Sequence, residues 1–87
     1  MKRIVVHKRF VKEFRKLAPS VQTSFQKRRD IFLENEKSAV LHVHGLAGKY
    51  AGYKSFNVTA DIRVIYKEID EDIFLFVTIG THSELYS

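Results

Sequence analysis

Two periods divide this chain, and the change from one to the other limits what it can fold into. Phe10, Phe14 and Leu17, then Val21, Phe25, Phe32 and Leu33, recur near the helical period of about 3.6 residues. Lys8, Lys12, Arg15 and Lys16 occupy other faces of the first stretch, and Lys27, Arg28 and Arg29 form a basic turn in the second. Pro19 separates the two, stopping a helix over residues 9–18 and able to open the next.

From Val40 the texture changes. His42 and His44 alternate with Leu41 and Val43, and Gly45, Gly48 and Gly52 then break up a stretch ending at Tyr53 that reads as a loop. Residues 54–58, 62–68 and 73–79 read as strands, joined by Thr59-Ala60 and by the acidic turn Asp70-Glu71-Asp72, so an antiparallel meander is the simplest connection. A β-branched run over residues 2–7 supplies one more strand. The order β-α-α-β-β-β predicts an α+β domain: two antiparallel helices packed on one face of a four-stranded, mainly antiparallel sheet. No linker, repeat or low-complexity segment interrupts residues 1–87, so one domain is expected.

Composition narrows the function classes. At 87 residues with 45% apolar and 13% aromatic content the chain can build a core but not a large enclosed pocket. The absence of cysteine excludes disulfide frameworks, thiolate metal sites and thiol nucleophiles, and suits a reducing cytoplasm. The longest uninterrupted apolar run, residues 73–77, is far below the ~20 residues of a membrane span. Lys8 and Arg9 interrupt the N-terminus before a signal-peptide core develops, so neither secretion nor membrane insertion is expected. Charge is segregated along the chain. Residues 1–33 hold ten Lys/Arg and two acids, whereas residues 68–87 hold five acids and no Lys/Arg. Such a dipole presents a basic face to a polyanion such as nucleic acid, or else a solvated helix surface.

No phosphate-binding glycine loop, His-Glu-x-x-His metal motif or Gly-x-Ser-x-Gly elbow is present. Basic and aromatic residues instead interleave after position 42, a pattern that suits RNA because cations hold phosphates while rings stack on bases. Metal-free RNA cleavage needs a group to take the 2′-hydroxyl proton, a group to protonate the leaving oxygen, and a fixed cation for the charge on phosphorus. His44, His82, Arg63 and Lys49 or Lys54 are the candidates. Each has a structural reading too: a turn cap for His44, a local hydrogen bond for His82, a salt bridge to Asp61 or Glu68 for Arg63, and core plugs for Tyr50 and Tyr53. His42 and His44 on one strand face, with Asp61 or His82, are weak grounds for zinc, and neither metal nor cofactor is expected.

The run His44-Gly-Leu-Ala-Gly-Lys-Tyr-Ala-Gly-Tyr-Lys-Ser-Phe-Asn-Val, then Asp61-Ile-Arg-Val-Ile-Tyr-Lys and the terminal Gly80-Thr-His-Ser-Glu-Leu-Tyr86, resembles the RelE/ParE superfamily of toxin-antitoxin toxins, most nearly the YafQ-type mRNA interferases. The resemblance implies a type II toxin that cleaves mRNA on the ribosome and is neutralised by a cognate antitoxin. It also implies roles: His82 as general acid, His44 as general base, Asp61 orienting an imidazole, and Tyr86 as the C-terminal aromatic of the site. Lys49, Lys54 and Arg63 would bind phosphate. Three polar positions depart from the YafQ pattern: Ser55 replaces an Asp, Asn57 a His and Thr78 an Arg. Other readings within the same superfamily are a ParE-like inhibitor of DNA gyrase and an inactive homologue that binds RNA or antitoxin.

Overall fold

Helix α1 (Lys8–Arg15) begins where His7 can cap it. The His7 Nδ1 accepts the Arg9 N–H at 3.0 Å, satisfying one of the first-turn donors that a helix leaves unpaired. Helix α2 (Pro19–Glu34) places Pro19 in its first turn, where the missing N–H costs nothing. The Gln22 side chain then donates to the Phe14 carbonyl at 3.0 Å and closes the hairpin. These elements belong to a computed structural model that describes residues 1–86.

Five strands, not four, make the sheet: β1 (Arg3–Val6), β2 (His44–Gly45), β3 (Lys54–Asn57), β4 (Ile62–Asp70) and β5 (Ile73–Thr81). Their order is β1-β5-β4-β3-β2, with β1 parallel to β5 and the other pairs antiparallel. The additional strand pairs His44 with Ser55 and Gly45 with Lys54. Two residues are too few to impose an alternation, which is why the sequence reads there as loop. Tight turns at Ala39–Leu41 and Gly48–Tyr50 flank it, and a short terminal helix, α3 (His82–Tyr86), follows β5 without a loop.

Phe32 joins the two layers. It is fully buried, with ring centroids 5.0 to 5.4 Å from Phe56, Tyr66, Phe74 and Phe76 on the sheet. Three of these contacts are edge-to-face, the arrangement that ring quadrupoles favour. Phe10 and Phe25 continue the cluster toward Phe76. Leu33, at helical spacing in the sequence, is turned outward, and Ile31 packs against the core instead.

Strand alternation assigns the rest. Phe56, Val64 and Tyr66 face the helices, so Ser55, Asn57, Arg63, Ile65 and Lys67 face the opposite side. A bulge lets β5 slip one residue between Ile65–Thr78 and Tyr66–Phe76. Beside it the buried Thr78 hydroxyl donates to the Glu13 carboxylate of α1.

Candidate active site on the sheet face opposite the helices

Cross-strand register sets the floor of the site. Asn57, Arg63 and Gly80 stand in one row across β3, β4 and β5. The neighbouring row on this face contains His44, Ser55 and Ile65. Ile65 is fully buried and Ser55 almost so, so Ser55 contributes floor rather than reach. Arg63 makes no ion pair with Asp61 or Glu68. Its Nε and the Asn57 Oδ1 are both buried without a hydrogen-bond partner among the described residues.

The walls come from the ends. His44 is exposed on β2, the edge strand. His82 is exposed at the start of α3, its backbone N–H donating to the Asp61 carbonyl at 3.3 Å, which brings the β3–β4 turn beside it. Arg63 therefore lies between the two histidines both in strand order and along the strands. Leu85 is buried and anchors the back of α3.

An aromatic chain rims the face. The His82 and Tyr86 rings are 4.7 Å apart, Tyr86 meets Tyr50 edge-on at 6.1 Å, and Tyr50 meets Tyr53 at 6.2 Å. Lys49 lies 5.3 Å from the Tyr50 ring centre and Lys67 5.2 Å from that of Tyr53. Tyr50 and Tyr53 are thus half-buried rim residues and not core plugs. Lys67 was not singled out by sequence reasoning, although its place two residues beyond Ile65 on the same strand face is a period-2 signal.

Two expected members stand elsewhere. Lys54 pairs with Tyr66, which puts it on the helix side of the sheet. There it lines an open groove of about 780 Å³ together with Glu36, Lys37, His42 and Glu68. Glu36 is engaged by Lys2 at 3.0 Å. Its own backbone N–H and then Lys2 hold its carboxyl below the usual range. His42 adopts a left-handed conformation (φ 49°) at the end of the 39–41 turn, so it does not share a strand face with His44. No group of three or more His, Asp or Glu able to hold a metal occurs among the described residues. No helix among them is long and apolar enough to cross a membrane.

Two helices on one face of a five-stranded sheet, with His, Arg and aromatic side chains on the other, define a RelE-like toxin. The family model for the bacterial toxin of type II toxin-antitoxin system, YafQ, matches residues 2–87, and the chain belongs to that family. It is similar to the crystal structure of YafQ from E. coli strain BL21(DE3), with 25% identity, a TM-score of 0.79 and full coverage of both chains. The E. coli DinJ-YafQ toxin-antitoxin complex matches at 26% identity and TM-score 0.76, covering 99% of this chain and 98% of that one. A YoeB/ParE toxin from Agrobacterium tumefaciens shares the fold at 16% identity and TM-score 0.76, covering 94% and 99%. No curated protein matches this sequence.

Proposed function

We propose that this toxin is a ribosome-dependent endoribonuclease that cuts mRNA without a metal. The observation that carries the reading is Arg63, set between His44 and His82, which makes no ion pair among the described residues and has a buried Nε without a hydrogen-bond partner among them. Such a cation stabilises the charge that accumulates on a phosphate under attack. In the reaction the ribose 2′-oxygen bonds to phosphorus as His44 takes its proton. The bond from phosphorus to the 5′-oxygen then breaks, and His82 gives that oxygen a proton, leaving a 2′,3′-cyclic phosphate and a 5′-hydroxyl. Acid and base on opposite sides of the bound phosphate suit this in-line displacement. Asp61, beside His82, orients its imidazole. Tyr86, Tyr50 and Lys49 offer ring faces and a cation to the flanking nucleotides. Lys54, on the other side of the sheet, holds RNA phosphates outside the reacting centre.

The partner that silences the toxin is a cognate antitoxin, as DinJ is found with YafQ in the solved E. coli complex. An acidic, extended peptide complements the basic first third of this chain.

One observation favours a second reading, a homologue that binds RNA or antitoxin without cutting. Thr78 and Ser55 are buried, Thr78 is bonded to Glu13, and Asn57 does not titrate, so three polar positions of the YafQ pattern supply neither charge nor proton transfer.

Messenger integrity in a reconstituted translation reaction, mapped by primer extension for wild type and His82→Ala, decides between them. Cleavage within the A-site codon by wild type alone is expected. Equal cleavage by both proteins removes His82 from the mechanism. Intact message with both supports the non-cutting reading, and a supercoiling assay then tests gyrase inhibition.

A further inference from the structure

We propose that Thr81 and Glu84 form a clasp that holds His82 and Tyr86 over the Arg63 row, making both of them positioning residues for His82. The proposal rests on the reading of His82 as the proton donor. Its physical basis is the shortness of α3. Five residues form little more than one turn, and such a turn has no stability of its own in water. His82 sits on its first turn, directly after a strand, so some other group must fix the imidazole.

The clasp is reciprocal. The Thr81 N–H donates to Glu84 Oε1 at 2.8 Å, and the Glu84 N–H donates to Thr81 Oγ1 at 3.1 Å. This is a capping box written in the sequence as Thr81-His82-Ser83-Glu84. Gly80 makes room for it. A Cβ at that position would lie 3.2 Å from Glu84 Oε1, close enough that the carboxylate would have to give by a few tenths of an ångström, and 3.6 Å from Leu85 Cδ2, an ordinary contact. The hydrogen bond from the Thr81 amide, and after it the Thr81 hydroxyl, holds the Glu84 carboxyl below its usual range. The clasp is therefore closed with Glu84 ionised. Buried Leu85 and the link from the His82 N–H to the Asp61 carbonyl hold the remaining sides.

A merely structural role would show as lost stability. None of the large aromatics of the helix-side core belongs to α3, so the clasp can open while that core stays formed. Glu84→Ala should lower kcat for ribosome-dependent cleavage about tenfold, since small misplacements of an acid are costly, and leave KM and Tm near wild type. Glu84→Gln keeps the acceptor oxygen and should stay within about twofold of wild type. Amide exchange and the His82 ring resonances, read by NMR on the same three proteins, need no activity. Glu84→Ala should expose the Thr81 amide and broaden the His82 ring signals, and Glu84→Gln should do neither.

Three results overturn the clasp: wild-type cleavage by Glu84→Ala, a protected Thr81 amide in that variant, or a Glu84→Gln protein as impaired as Glu84→Ala. If wild type itself leaves message intact, the proposed activity fails, and the NMR comparison alone decides whether Thr81 and Glu84 hold His82.

Discussion

Asn57 and Arg63 are register partners across β3 and β4, yet the Oδ1 of one and the Nε of the other are both buried and do not satisfy each other. Buried polar atoms are nearly always paired, and an orphaned one costs roughly 1–3 kcal/mol. At these partnered positions on the site face neither atom finds a partner among the described residues, so nothing there neutralises the guanidinium. Under the proposed reading, the unneutralised charge of Arg63 is what an RNA phosphate meets.

That arrangement predicts opposite signs for stability and activity. In Asn57→Asp a carboxylate would face Arg63, pairing the guanidinium and masking its charge. Thermal unfolding should shift upward while cleavage in the translation reaction falls by about 100-fold, the scale of losing one preorganised stabilising group. Arg63→Met should lose cleavage to a similar degree with Tm unchanged or raised. A variant of either kind that cuts at the wild-type rate would remove Arg63 from the site.

Thr78 gives a second prediction. Its hydroxyl donates to Glu13, which also lies 3.6 Å from Arg9, so the position ties β5 to α1. Thr78→Val should cost about 1–3 kcal/mol in urea unfolding by removing the donor and leaving the carboxylate partly buried. Thr78→Arg, which restores the family's residue type, should destabilise and not activate, because the site is fully buried and has no space for a guanidinium. A double-mutant cycle with Glu13→Gln measures the coupling.

The same residues explain what could be read from the sequence. The helical spacing of Phe10, Phe25 and Phe32 announced a helix layer, residues 54–58, 62–68 and 73–79 read as strands between turns, and the structure packs those phenylalanines against Phe56, Phe74 and Phe76 of the sheet. The terminal Gly-Thr-His was legible as a motif. The helix it opens was not, because five residues carry no periodic signal, although Thr81 and Glu84 spelled its cap. Lys54 and Arg63 read as equivalent cations, since which face each takes depends on pairing: Lys54 opposes Tyr66, and Arg63 opposes Asn57. Thr78 read as a vacant site position because its partner, Glu13, lies 65 residues away in the chain.

The cap on α1 is a local test of the fold alone. His7 accepts the Arg9 N–H through Nδ1, which requires that nitrogen to be unprotonated. His7→Ala should cost about 0.5–2 kcal/mol, and His7→Asp should recover it, because a carboxylate caps the same donor and opposes the helix dipole. Thermal unfolding of the three proteins at neutral pH checks the order. Equal Tm values would show that the bond contributes nothing.

Tyr66 makes the fold sensitive to alkali. Burial among Phe32, Phe56, Phe74 and Phe76 raises its phenol to about 12, and the Glu36 and Glu68 carboxylates add to the shift. In the unfolded chain the same group ionises near about 10. Below that pH both states keep the proton and its full stabilising effect is present. As pH rises from about 10 to about 12 the unfolded chain loses its proton first, so stability falls through this window by about 2 kcal/mol. Tyr66→Phe removes the titrating group while keeping the ring. Its urea midpoint should decline less steeply than that of wild type over this range and track it below, whereas parallel curves would mean that the Tyr66 hydroxyl is not held neutral by the core.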